Sequence, residues 1–93
     1  MKPTLKAALV ALALTSSAAF ADFSPEQLLE VTKLAVDDFK ATQGEHAEHF
    51  YGYKAWKSGG EARVKVYAQH EGATLEFNYN CHNHGGELEC HAQ

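Results

Sequence analysis

Six histidines and two cysteines are the residues of this 93-residue chain whose types and spacing could do chemistry. His82-Asn83-His84 sets two imidazoles two positions apart, and Glu87, Glu89 and His91 follow shortly after. On a β-strand, residues two apart share a face, and a neighbouring strand can supply a further ligand. Neutral imidazoles with a carboxylate form a donor set for Zn²⁺, Cu²⁺ or Ni²⁺, which makes His82, His84, His91 and Glu89 the candidate metal ligands. The competing reading is a solvated polar face of cross-strand His–Glu pairs, each worth well under about 1 kcal/mol. His46, His49 and His70 form a second group. They read as ordinary helix-exit and strand-end histidines.

Sharper motifs are missing. Cys81-His82 and Cys90-His91 suggest a Cys₂His₂ zinc site, but strand alternation sends thiols and imidazoles to opposite faces. There is no C-x-x-C-H for haem attachment, and Glu45-His46-Ala47-Glu48-His49 is not H-E-x-x-H. Ser24 and Ser58 fall at a helix cap and a turn, so no nucleophile with an adjacent base is visible. A Gly-rich phosphate loop is absent as well. These absences argue against an enzyme.

The two cysteines read as a disulfide. If Gly85-Gly86 is a two-residue turn, His84 faces Glu87, Asn83 faces Leu88, His82 faces Glu89, and Cys81 faces Cys90. Counting outward from the turn makes Cys81 and Cys90 a non-hydrogen-bonded pair, whose close Cα spacing suits the bond. His91 then lies opposite Asn80 and diagonal to His82. Closing this ten-residue loop is worth roughly 2.5–3 kcal/mol in the chain-entropy description.

The elements that position these residues follow from periodicity. Ser24, Pro25 and Gln27 make a capping box with proline at the first helical position, and Phe23 and Leu28 form a hydrophobic staple. Leu28, Val31, Ala35 and Phe39 share one face, widened by Leu34 and Val36, and Gly44 is the stop. This predicts a helix from Pro25 to Gln43. From Phe50 the period becomes two. Ala62, Val64, Val66 and Ala68 point inward on one strand, and Leu75, Phe77, Tyr79 and Cys81 on the next. A turn at Glu71-Gly72 sets Val66 against Phe77 and Val64 against Tyr79.

The strand over residues 50–57 admits two registers. A Gly59-Gly60 turn points Tyr51, Tyr53 and Ala55 inward and sets Gly52 opposite Tyr67 and His49 opposite His70. It also opposes Lys54 to Lys65, which is unfavourable. A one-residue shift pairs Lys57 with Glu61 and turns Lys54 inward. The first register is preferred. The fold class is therefore α+β: one N-terminal helix packed on a four-stranded antiparallel meander with a disulfide-stapled C-terminal hairpin. The layout resembles that of cystatin-like and PepSY-like modules in topology alone, with no family motif behind it.

On such a sheet the face away from the helix carries Lys54, Trp56, Arg63, Lys65 and Tyr67. Exposed aromatics beside arginine are residue types that anchor interfaces, so these five are the candidate partner-binding residues. The alternative is an ordinary open antiparallel face, with Trp56 turned into the core in the other register.

Lys2 and Lys6, the apolar run Ala7–Leu14 and Ala19-Phe20-Ala21 match the basic, apolar and A-x-A parts of a secretory signal peptide. Cleavage after Ala21 is expected to leave residues 22–93 as one small domain in the periplasm or outside the cell. Losing those two lysines from eight basic residues, with all twelve acids retained, moves the formal charge from −4 to −6. An exported acidic protein is a poor partner for nucleic acid. The apolar run is too short to span a bilayer, and Asp22 in place of a cysteine argues against a lipid anchor. Two functions are expected from these features. The first is a non-enzymatic module that binds a protein or peptide surface, of inhibitor, immunity or accessory type. The second is binding or sequestration of Zn, Cu or Ni by the terminal hairpin.

Overall fold

The computed structural model describes residues 22–93, and the expected leader, 1–21, lies outside the described residues. Helix α1 (Pro25–Thr42) is followed by a 3₁₀ helix (Gly44–His49) and four strands, β1 (Phe50–Ser58), β2 (Glu61–His70), β3 (Ala73–His84) and β4 (Glu87–Ala92). The strands form one antiparallel sheet in the order β1-β2-β3-β4, with α1 laid on one face.

Capping starts the helix where the sequence places it. The Ser24 hydroxyl accepts from the Gln27 amide at 3.1 Å, and Gln27 Oε1 accepts from the Ser24 amide at 3.0 Å. Gly44, with φ +45°, follows the last turn. The buried stripe is Val31, Ala35 and Phe39, joined by Thr32, whose hydroxyl donates to the Leu28 carbonyl at 2.7 Å. Leu34 does not widen that stripe. It lies roughly 100° around the helix from Ala35, the centre of the stripe. Its side chain is accordingly among the exposed apolar ones.

Against the stripe stand Ala62, Val64, Val66 and Ala68 of β2 and Tyr79 and Cys81 of β3, with Phe23 closing the end. The alanines let the helix sit close to the sheet. Cys90 Sγ lies 3.4 Å from the Val31 carbonyl oxygen, bringing the disulfide under the helix. Cys81 and Cys90 are bonded with a Cα–Cα distance of 4.0 Å, in the register set by the Gly85-Gly86 turn. In the Glu71-Gly72 turn the φ angles are +51° and +82°. Positive φ at both central residues is what a type I′ hairpin requires.

β1 and β2 pair in the preferred register, with Gly52 opposite Tyr67 and Lys54 opposite Lys65. A β-bulge at Tyr51 interrupts it, because Phe50 pairs with Ala68 while Gly52 pairs with Tyr67. The extra residue reverses the alternation beyond it. Phe50, not Tyr51, therefore turns to the core side, its ring 6.4 Å from that of Phe39. Tyr51 is left 67% exposed, and His49 falls in the 3₁₀ helix, so the expected His49–His70 pair does not form. His46 packs edge-on against His70 at 5.5 Å instead. Tyr53 has the inward orientation along β1 but is 55% exposed, because the helix does not cover this edge strand.

Candidate functional site

The sheet face opposite α1 is built from the side chains that alternation sends away from the core. Trp56, Arg63, Asn80 and His91 stand in one row across all four strands. Lys54, Lys65 and Asn78 make the next row, and Tyr67 lies opposite Gly52 and Glu76 beyond it. The five expected partner-binding residues are thus brought together. Lys54 and Arg63 are exposed, whereas Trp56, Lys65 and Tyr67 are half-buried by their neighbours.

Lys54 Nζ lies 5.4 Å from the centre of the Trp56 ring. This cation–π contact relieves the opposition of Lys54 to Lys65. Lys65 is also paired with Glu76 at 3.1 Å, and Arg63 lies 3.9 Å from Glu61. A shallow hollow of about 260 Å³ opens between Trp56, Arg63, Lys65, Asn78 and Gln93. Beside it, Asn80 Oδ1 is covered and finds no hydrogen-bond donor among the described residues. The face combines aromatic surface with guanidinium donors.

The four expected metal ligands adjoin this cluster at the β3–β4 end. The His82 ring centre lies 5.8 Å from that of His84 and 5.6 Å from that of His91. Glu89 Oε2 sits between them, 3.4 Å from His91 Nε2 and 3.7 Å from His84 Nε2. Glu61 approaches His82 Nδ1 at 3.6 Å, a neighbour found by extending the Ala62–Cys81 register one step. Two imidazoles on one tetrahedral ion have ring centres about 5 Å apart, so the rings are near that spacing. Among the described residues, however, no three His, Cys, Asp or Glu side chains are arranged to hold a metal ion. A site here requires the rings to turn toward a common centre.

The second histidine group is built around His46. His46 contacts His70 and Phe77, and its buried Nδ1 has no partner among the described residues. His49 is exposed. Comparison with protein-family models, curated proteins and solved structures returned no match. The class defined here is a one-helix, four-strand α+β domain with an open sheet face.

Proposed function

We propose that this protein is a small exported binding module without enzymatic activity, acting in the periplasm or outside the cell as an inhibitor, immunity factor or accessory subunit. It recognises a protein or peptide surface with the open sheet face. The observation that supports this reading is the cluster of Trp56, Arg63 and Tyr67 beside Lys54 and Lys65 on the face that α1 leaves uncovered. Aromatic and arginine side chains concentrate interface energy, and a sheet held by a core and a disulfide loses little freedom when it binds. The Cys81–Cys90 bond fits an oxidising compartment.

Selection from a displayed peptide library tests the reading. The wild-type protein is expected to enrich a sequence family that the Trp56→Ser/Tyr67→Ser variant does not retain, with the variant's unfolding midpoint only a few degrees lower. Equal enrichment by the variant would take this face out of the reading. Collapse of the fold would show the two rings to be structural.

The spacing of His82, His84 and His91 around Glu89 supports a second reading, transition-metal binding. Imidazole ligates only when neutral, so Zn²⁺ or Cu²⁺ bound here should be released on acidification. Binding should also vanish in His82→Ala/His84→Ala. Micromolar binding that survives those changes would place the metal elsewhere.

A further inference from the structure

Where α1 passes the edge strand β1, Leu28, Leu29, Tyr53 and Ala55 line an apolar hollow, which continues past Val36 and Lys40 to Ala47 and Phe50. Leu29, Tyr53 and Phe50 border this groove while 68%, 55% and 43% exposed. Tyr51 lies on the same strand. Leu34, on the other flank of the helix, is not part of it.

β1 is an edge of the sheet, so among the described residues one side of its backbone has no strand partner. Hydrogen-bonded and non-hydrogen-bonded pairs alternate from the Gly59-Gly60 turn. Ser58, Trp56 and Lys54 therefore bond to β2, while Lys57, Ala55 and Tyr53 present their amides and carbonyls outward. Tyr53 and Ala55 are also the residues whose side chains line the groove. A strand laid on this edge would bond to them and drop every second side chain between β1 and α1. Its other side chains would emerge beside Lys54, with Lys65 and Arg63 one strand further in.

Charge selects what those other side chains are. Lys54, at the end of the groove, is the cation beside them, and Lys40 adds positive charge from the groove wall. Lys33 and Lys57 are already paired with Asp37 and Asp22 at 2.8 and 2.9 Å. Glu48, at the Phe50 end, places the cationic character toward Lys54. Edge-to-edge pairing with a second copy of this chain would bring a second Lys54 to the same seam, whereas Lys65, one strand further in, is already paired with Glu76 at 3.1 Å. An acidic strand would not meet the repulsion between the two Lys54 side chains.

We propose that the β1 edge and the α1–β1 groove take an extended peptide of alternating apolar and acidic side chains, added as a fifth strand. The proposal rests on the reading of the protein as a peptide-binding module but uses a different surface. The probe is a synthetic peptide alternating valine and glutamate, matched to the nine residues of β1. It should bind saturably to the wild-type protein, slow amide exchange at Tyr53, Ala55 and Lys57, and bind at least about tenfold better than a valine–lysine counterpart. Methylating alternate peptide nitrogens should abolish binding without any change to the protein. Leu29→Glu, at an exposed helix position, should do the same with the unfolding midpoint preserved.

No binding, or equal binding of both peptides, would overturn the proposal. Loss in Trp56→Ser/Tyr67→Ser with retention in Leu29→Glu would move the peptide to the open face, sinking the groove inference while keeping the broader reading. A dimer that forms without peptide and is broken by Leu29→Glu would assign the groove to a second copy and overturn it too.

Discussion

The ionisation of Tyr79 is linked to the fold. The residue is 2% exposed, and its hydroxyl donates to Asp38 Oδ2 at 3.0 Å across the helix–sheet interface. Burial first, and then the neighbouring carboxylate, push its pKa up to about 12 from the ordinary 10.0. The folded-state value is raised, so the stability linked to this group is fully present below about pH 10. It is lost as pH climbs toward about 12, because the unfolded chain gives up the proton first. The unfolding midpoint should therefore fall across that window, and Tyr79→Phe should flatten the fall. Denaturant titrations at a series of alkaline pH values check this, and an unchanged slope in Tyr79→Phe would disconnect the effect from Tyr79.

At the scale of elements, the β3–β4 hairpin is the most strongly specified part of the molecule. Its turn, its register and its disulfide agree, and Asn83 ties it to the start of the domain. The Asn83 amide donates to the Asp22 carbonyl at 3.0 Å, while Asn83 Oδ1 accepts from the Gly86 amide at 2.7 Å. Reducing Cys81–Cys90 frees a ten-residue loop in the unfolded chain and should cost about 2.5–3 kcal/mol. For a domain of this size that lowers the thermal midpoint by about 10–20 °C. Calorimetry with and without reductant measures it. Alkylation before reduction should find both thiols protected. β1 is the opposite case: its bulge and uncovered edge leave apolar side chains in solvent, a condition that natural sheets usually cover or charge.

At the scale of the whole molecule, one helix covers one face of the sheet, and this single fact creates both candidate binding surfaces. Among the described residues the open face has no second layer, and the helix does not extend over β1. No helix among them is long and apolar enough to cross a membrane. Export remains a proposal, with a direct check. Intact mass and terminal sequencing of protein recovered from the periplasm or medium should give Asp22 as the first residue. Retention of the leader, or a terminus well inside α1, would overturn it. Asp22 is itself engaged by the Lys57 ammonium, which with the Phe23 amide holds its carboxyl below the ordinary carboxylate range.

The helix, the four strands, their order and the disulfide were legible in the sequence because each rests on a local rule. Ser24 and Gln27 cap within one turn, Gly85-Gly86 makes a two-residue loop, and alternation needs only neighbouring residues. The open-face cluster was legible for the same reason, since register and alternation place Trp56 beside Arg63. Other features needed three dimensions. The bulge at Tyr51 depends on how β1 leaves the 3₁₀ helix, and it exchanged Phe50 for Tyr51 on the core side and His46 for His49 beside His70. Exposure of Tyr53 and Leu29 depends on where the helix axis crosses the sheet, which the seating of Val31, Ala35 and Phe39 on the inner faces of β2 and β3 decides. Sequence assigned each side chain a face. Only the packed structure decided which of those faces are covered, because coverage is a property of the helix's position and not of any one strand.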